Sequence, residues 1–183
     1  RLPLFNGANS NQLNQIEKYL EKNKPNLKEN ILGGLYKMKY KNHFLIMDVE
    51  KPPQKRFSKS YQSGPLSFEY FLDGIKIISN SGFGNNISKK AELLSRVTAC
   101  QSTLTINDTS VTSFEKNEII NKVFGNSIKN SFKSLNIDLT NNADLIGCSA
   151  SNNGYEKSFG CTHKREIYIS KKENYLKGID HIF

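Results

Sequence analysis

The sequence predicts a mainly β fold, an antiparallel β-sandwich with a short N-terminal helix. From Gly33 onward, apolar side chains recur at every second position, which is the period of a strand. Two pairs of such runs are separated by only two residues, Lys41-Asn42 and Asp73-Gly74, and Asp-Gly is among the strongest hairpin signals. The chain also carries 11 Phe and 8 Tyr, residue types that strands favour. Hairpins build antiparallel sheets, and two such sheets bury their apolar faces against each other in a sandwich.

The helix is predicted before the strands, over residues 11–24. Leu13, Ile16 and Leu20 fall on one face at helical spacing, and Pro25 limits the end. The strands that follow are, in chain order, LYKMKY, HFLIMDV, LSFEYFL, IKIISNS, TLTI at 103–106, REIYI and YLKGID.

The connections between these strands differ in character. Residues 51–63 and 82–96 are long, polar and rich in Lys, Ser and Asn, which predicts loops at the rim of the sandwich. Residues 115–132 leave two interpretations open, because Ile119, Ile120, Val123 and Phe124 suit either a short helix or a covering loop.

The charge and hydropathy patterns exclude some classes of protein. Twenty-six basic and 17 acidic side chains give a net charge of +9, which attracts polyanions such as acidic glycans or nucleic acid. The lysines are scattered, however, which favours a basic composition spread over the surface. No nucleic-acid-binding signature accompanies the charge, so nucleic acid is not a predicted partner. No apolar run approaches the roughly 20 residues that span a bilayer, so no membrane span is predicted.

The three cysteines, Cys100, Cys148 and Cys161, are odd in number and show no metal-ligand spacing. This argues against structural zinc and predicts buried, small apolar side chains. A disulfide between Cys148 and Cys161 in an exported protein is the alternative.

Several segments carry motifs in a fixed order. LPLFNG begins at Leu2, SGPLSFEYFLDGIKIISNSGFG covers 63–84, RVTACQSTLTINDT covers 96–109, YEKSFGCTHKR covers 155–165, and LKGID ends at Asp180. In this order they resemble the heparinase II/III-like family, the polysaccharide lyases and their relatives, and are most similar to its proteobacterial members. The third segment resembles the family signature R-S-T-A-A-H-(N/S)-T-L, with matches at Arg96, Thr98, Ala99, Thr103 and Leu104.

The resemblance implies an architecture and an activity. Residues 31–183 would form a supersandwich-like β-sandwich, incomplete at its C-terminus. Residues 1–30 would be a connector, with its short helix, from a helical domain of the same protein that is missing here. The family activity is β-elimination in uronate-containing acidic polysaccharides, so the implied partners are an acidic polysaccharide or oligosaccharide and that helical domain. The implied location is the periplasm or the cell envelope.

The same resemblance locates the candidate site residues and shows departures from the family pattern. Gln62, Gln101 and Asn152 stand at family histidine positions, and Asn80 stands at a metal-ligand position that is often acidic. Gly64 occupies a position that is Asp in many members. An amide can hydrogen-bond a sugar, but it transfers no proton near neutral pH and is a poor ligand for a divalent cation. We therefore expect weakened or absent catalysis by this chain alone, and no metal cofactor.

The candidate catalytic residues are His163, which stands at a family histidine position, and Tyr155. The candidate ligand-binding residues are Gln62, Asn80, Arg96, Gln101, Ser102, Asn152 and Arg165. Each has an alternative structural role: His163 as a structural hydrogen-bonder, Tyr155 as a packed loop aromatic, and Arg165 in a strand-surface ion pair near Glu166. Glu69, between Phe68 and Tyr70, is predicted to face solvent.

Two functions follow from these residues. The first is the sandwich domain of a lyase that is incomplete without its helical domain. The second is a non-catalytic acidic-glycan-binding or structural module.

Overall fold

The computed structural model describes residue 18 and residues 30–183, and within them the chain is mostly β-structure. The predicted helix over residues 11–24 lies, apart from Lys18, outside the described residues. In the part of the chain that is described, no helix has the length and apolarity needed to cross a membrane.

The first sheet contains five antiparallel strands that neighbour one another in chain order. They are β1 (Ile31–Leu32), β2 (Leu35–Tyr40), β3 (His43–Asp48), β4 (Phe68–Leu72) and β5 (Ile75–Ile78). Both predicted hairpins are confirmed. In the second, Asp73 and Gly74 have φ values of +51° and +78°, the left-handed pair that a type I′ turn requires.

The connection between the two large sheets is built from short elements. It contains α1 (Lys89–Leu94), β6 (Ser113–Phe114), α2 (Glu118–Phe124) and β7 (Ile128–Asn130), and β6 pairs with β7. The open choice for residues 115–132 is resolved as a helix followed by a strand. Asn117 begins α2 by accepting hydrogen bonds from the amides of Ile119 and Ile120, and Gly125, with φ +66°, ends it.

The second sheet contains four antiparallel strands in the order β11-β10-β9-β8. Their bounds are β8 (Leu135–Asn141), β9 (Leu145–Asn152), β10 (His163–Ser170) and β11 (Tyr175–Ile182), and the one-turn helix α3 (Glu156–Phe159) lies between β9 and β10. The predicted REIYI and YLKGID strands are confirmed within β10 and β11.

The core lies between the two large sheets, so the predicted sandwich is confirmed. Its buried side chains come from both sheets: Tyr36, Met38, Leu45, Met47, Val49, Leu66, Tyr70, Ile146, Cys148, Ala150, Ile167 and Ile169. The Tyr36 hydroxyl crosses the core and donates to the carbonyl of Gly147 at 3.0 Å. Burial raises the pKa of the Cys148 thiol to about 12, which suits its predicted role as a small apolar side chain. All three cysteines are free, and the half-buried Cys100 and Cys161 fit that description less well.

The predicted TLTI strand is wrong. Residues 103–106 join no ladder, and Ile106 forms only an isolated bridge with Thr109. In this segment, hydrogen bonds from side chains to the backbone stand where strand pairing was predicted. The Ser102 hydroxyl accepts from the amide of Phe68 at 2.8 Å and also contacts its carbonyl oxygen, so one side chain occupies both backbone groups that a neighbouring strand would use. Thr103 Oγ1 donates to the carbonyl of Pro65 at 2.6 Å.

The predicted solvent exposure of Glu69 is also wrong, since its side chain is fully buried. One carboxylate oxygen lies 3.0 Å from the ammonium of Lys76, and the other accepts from the amide of Asn80 at 3.3 Å. A buried carboxylate needs such partners, and β5 supplies one of them and the segment after β5 supplies the other.

Candidate functional site

The centre of the candidate site is an ion-paired cluster on the inner face of the second sheet, formed by His163, Arg165 and Asp180 and named here the Arg165 cluster. Arg165 on β10 lies directly opposite Asp180 on β11. Arg165 Nε and Nη2 donate to the two carboxylate oxygens at 2.7 and 2.9 Å, a bidentate pairing. His163, two residues earlier on the same face, places Nε2 at 2.7 Å from Asp180 Oδ1. Because an ionised carboxylate only accepts, Nε2 carries a proton.

The Arg165 guanidinium also reaches across the sandwich. Nη1 donates to the carbonyl of Leu66 at 2.8 Å and to the carbonyl of Ser102 at 2.6 Å. The guanidinium carbon lies 5.3 Å from the centre of the Phe68 ring. Arg165 therefore forms an ion pair, and its partner is Asp180 and not the neighbouring Glu166. Its buried side chain also links the second sheet to two segments beside the first sheet, those that contain Leu66 and Ser102.

Asp180 is the charged anchor of the cluster. Partial burial alone would raise the pKa of its carboxyl, but the hydrogen bonds from His163 and Arg165 outweigh burial and hold that pKa well below its ordinary value. The carboxylate is 37% exposed, whereas the His163 side chain is 2% exposed, so solvent reaches the cluster from the Asp180 side.

The Arg165 cluster predicts acid sensitivity. Because the folded pKa of Asp180 lies below its unfolded value of about 3.9, its stabilising contribution is present above that pH and is lost as pH falls further. We expect urea midpoints to fall more steeply below about pH 4 for the unmodified chain than for Asp180→Asn. Asp144→Asn, a change in the turn before β9, serves as the control. Parallel pH profiles for the unmodified chain and Asp180→Asn would contradict this.

Asn80 and Ser102 extend the network from Arg165 toward the first sheet. Asn80 Oδ1 accepts from the amide of Ser102 at 2.8 Å and lies 2.9 Å from its hydroxyl. The backbone N–H of Asn80 donates to Glu69 Oε1. Asn80, Ser102 and Arg165 are thus brought together, and their polar groups are used by one another and by the backbone.

Gln62 and Gln101 form a second, separate pair. Gln101 Nε2 donates to Gln62 Oε1 at 3.4 Å and to the carbonyl of Ser95 at 2.8 Å. Gly64 packs against this pair, because a Cβ there would lie 2.8 Å from Ser67 Oγ and 3.0 Å from Gln101 Cγ. The glycine therefore makes room for the glutamine, and an aspartate at position 64 would require Gln101 to move.

Arg96 is fully buried, and its guanidinium contacts the loop between β3 and β4. Its Nε donates to the carbonyl of Tyr61 at 2.8 Å, and Nη2 donates to the carbonyl of Ser58 at 2.9 Å. The guanidinium carbon lies 3.9 Å from the centre of the Phe114 ring. Burial lowers the pKa of Arg96 to about 10, so the group stays charged at neutral pH. Its contacts hold residues 58–61 in place.

Tyr155 and Asn152 stabilise turns in the same way. The Tyr155 hydroxyl lies 3.0 and 3.1 Å from the carbonyls of Leu104 and Thr109, and burial raises its pKa. Its ring is buried, as the packed-aromatic alternative describes. Asn152 Oδ1 accepts from the amide of Gly154 at 2.9 Å, and Asn152 lies opposite His163 in the β9–β10 ladder.

Sequence reasoning did not assign Asp180 and Glu69 to the site. Asp180 was visible as the end of the LKGID motif, but its pairing with Arg165 depends on the register of the β10–β11 hairpin. Ser170 pairs with Tyr175 across the turn. Counting five residues outward from this pair along each strand places Arg165 opposite Asp180. The turn length was the signal that could have located it.

The donor set of the site does not fit a divalent metal. Within the described ranges, no three His, Cys, Asp or Glu side chains are grouped closely enough to hold one. His163 Nε2 is engaged by Asp180, and Asn80 Oδ1 is engaged by Ser102. Neutral amides are weak ligands for such ions.

The fold and the network define a β-sandwich domain in which the buried Arg165, paired with Asp180 on the neighbouring strand, links the second sheet to the carbonyls of Leu66 and Ser102. The sequence model described as "Heparinase II/III-like, C-terminal" matches residues 24–183. The chain therefore belongs to the heparinase II/III-like family, as its C-terminal domain, and the predicted family is confirmed. No curated protein and no solved structure matches the chain.

Proposed function

We propose that this chain is the polysaccharide-facing sandwich domain of a protein acting on uronate-containing acidic glycans, and that it performs no β-elimination by itself. Family membership supports the polysaccharide substrate class. The observation that carries the second part is the Gln62–Gln101 contact, in which two amides lie side by side at positions that resemble family histidines.

β-Elimination requires one group to accept the C5 proton and another to protonate the leaving oxygen. The amides of Gln62 and Gln101 are neither acids nor bases near neutral pH. Gln62 is half-exposed, and its amide can bind a hydroxyl group of a sugar, whereas Gln101 is buried and its Nε2 donates to Gln62 and to the carbonyl of Ser95. Gln62, held by Gln101, therefore suits substrate contact without proton transfer.

His163 is the remaining imidazole among the candidates, and its surroundings favour a structural role. The side chain is almost completely buried, and Nε2 is bonded to Asp180. A general base must come within hydrogen-bonding reach of the substrate proton. Tyr155 has the same limitation, because its hydroxyl is held between two backbone carbonyls.

The groups missing from this chain would come from elsewhere in the same protein. We infer that a helical domain, as the resemblance implies, supplies the proton-transfer groups and the opposite wall of the glycan site. A location in the periplasm or the cell envelope would bring the protein to such glycans.

The direct experiment incubates the 183-residue chain with heparin, heparan sulfate or alginate and records the ultraviolet absorbance of the unsaturated uronate product. Calorimetric titration with the same glycans, and with neutral dextran as the control, measures binding. We expect no product, and binding to the acidic glycans that weakens as salt rises. Product formation would refute the absence of catalysis, and equal affinity for dextran would refute the acidic substrate class.

A non-catalytic structural or glycan-binding module is the second candidate function. It is favoured by the engagement of both candidate arginines, since Arg96 binds loop carbonyls and Arg165 binds Asp180 and two further carbonyls. Both side chains are buried, so neither guanidinium is accessible to a glycan carboxylate. Absence of both product and binding in the experiment above would favour a purely structural module.

We also propose that this domain holds no zinc ion, and a measurement of its zinc content tests this. Catalytic zinc takes about three protein ligands and structural zinc about four, and His163 with neutral amides does not supply them. We expect the purified chain, after dialysis against metal-free buffer, to contain far less than one zinc ion per molecule. Inductively coupled plasma mass spectrometry measures this content. One zinc per chain that disappears in His163→Ala, but persists in His181→Ala, would contradict this.

A further inference from the structure

The face of the first sheet that points away from the core carries basic and aromatic side chains in register. Lys39, Phe44, Phe71 and Lys76 lie opposite one another across strands β2 to β5. Lys37 lies two residues before Lys39 and therefore on the same face. The core residues Met38, Leu45 and Tyr70 occupy the alternate positions and point inward.

This face contains an open hollow of about 530 Å³ at the hairpin end of the sheet. Lys37, Lys39, Lys41, Phe44 and Phe71 are among its lining residues, and we call these five the basic sheet face. We propose that the basic sheet face binds an acidic polysaccharide at a second site, separate from the Gln62–Gln101 pair and from the Arg165 cluster. This inference rests on the proposed function for its ligand class.

Charge complementarity identifies an anionic occupant. The three lysines of the basic sheet face are exposed, and none forms a salt bridge with any described residue. Among the described residues, Asp73 is the single acidic one that lines the hollow. Lys76, at the edge, is already paired with Glu69. The unpaired positive charge is thus concentrated on one strand and its turn, where an extended polyanion can lie along β2.

Two ammonium groups lie over the aromatic rings of this face, that of Lys37 and, at the edge, that of Lys76. Lys37 Nζ lies 5.8 Å from the centre of the Phe44 ring, and Lys76 Nζ lies 5.2 Å from the centre of the Phe71 ring. Both distances are within the range of cation–π attraction. The rings themselves pack together with centroids 5.7 Å apart. Ordered cations lose less side-chain freedom when they meet an anion, which favours binding.

The same contacts favour a polysaccharide over a nucleic acid. Single-stranded nucleic acid binds by stacking bases on free aromatic faces along a basic groove. Here lysine ammonium groups lie over both rings, and the rings are half-buried. Carboxylate or sulfate groups spaced along a glycan need cations at intervals, and Lys37 and Lys39 are roughly 7 Å apart along the strand.

The test uses the full 183-residue chain and heparin oligosaccharides of defined length in calorimetric titration at low salt. Lys37, Lys39 and Lys41 are replaced together by Gln, and the matched control replaces the exposed Lys129, Lys172 and Lys177 by Gln. Circular dichroism and urea unfolding verify that both variants fold. We expect the first variant to bind about tenfold more weakly and the control to stay within about twofold of the unmodified chain.

Equal affinity of the first variant and the unmodified chain would overturn the assignment of this face, while leaving the proposed function intact. An equal loss in the control would show that only net charge matters, and would also overturn it. A single-stranded DNA of equal charge that binds more tightly, and loses affinity in the first variant only, would replace the polysaccharide by nucleic acid. Glycan turnover by the chain would refute the proposed function without affecting this face.

Discussion

Replacing Arg165 by Met is expected to lower the free energy of unfolding by about 3 kcal/mol or more. The substitution keeps the volume of the side-chain stem but removes the bidentate bond to Asp180 and the bonds to the carbonyls of Leu66 and Ser102. The Leu66 carbonyl would then be left in a buried environment without this donor. Asp180 is partly exposed and can be rehydrated, which limits the loss on its side.

Two further variants serve as controls. They show whether the loss of stability in Arg165→Met comes from the lost positive charge or from the lost hydrogen-bonding geometry of the guanidinium. Lys164→Met changes a neighbouring cation on the outer face of β10, and we expect little change in stability because solvent screens its ion pair with Glu166. Arg165→Lys keeps the charge but loses the planar fork, so we expect an intermediate loss. Urea unfolding measures all three variants. A loss below about 1 kcal/mol for Arg165→Met, no larger than an exposed pair, would show that the cluster does not hold the sheets together.

The Gly147→Ala variant is expected to lose about 2–3 kcal/mol of stability, because the added methyl group has no room. A Cβ at position 147 would lie 2.1 Å from the carbonyl oxygen of Ile167 and 2.7 Å from Cα of Tyr168. Both are backbone atoms of the adjacent strand, so β9 and β10 would have to separate. Tyr36 also donates to the Gly147 carbonyl, which couples this strand to the opposite sheet.

Gly178→Ala is the matched control for that variant. Gly178 lies in β11, on the other side of β10, and a Cβ there would meet only the Glu166 carbonyl oxygen, at 4.0 Å. We expect its stability to stay within about 0.5 kcal/mol of the unmodified chain, as for most substitutions without a clash. Similar losses for the two alanine variants would mean that close approach does not explain the effect at position 147, because the lower unfolded-state entropy of alanine by itself favours the folded state.

The sandwich could be predicted because its hairpins are encoded locally. The alternation around Lys41-Asn42 and Asp73-Gly74 fixes which face of each strand is apolar, and the turn fixes the register. The TLTI strand was predicted from the same alternation and is wrong. There the Ser102 hydroxyl binds the backbone N–H and carbonyl of Phe68, where a neighbouring strand would otherwise pair. Periodicity in a sequence does not reveal a hydrogen bond between residues 34 positions apart.

The sequence identified some members of the candidate site, but it did not assign Asp180 or Glu69 to the site, and it did not reveal the contacts between them. The motifs named Arg165, Asn80 and Ser102, and the structure joins all three. Burial decides what each can do, and burial depends on contacts between distant segments. Glu69 illustrates the limit: alternation assigned it to the outer face of β4, but the segment after β5 covers that face and encloses the carboxylate.

The central claim is that the candidate residues of this chain serve its fold and its ligand contacts, without transferring protons. Its most direct test is the release of unsaturated uronate from alginate or heparin, followed by ultraviolet absorbance, for the unmodified chain and for His163→Gln side by side. We predict that both traces match a protein-free control over a long incubation at high protein concentration. Product release that scales with the amount of unmodified chain, and that His163→Gln abolishes while the variant still folds, would contradict the claim.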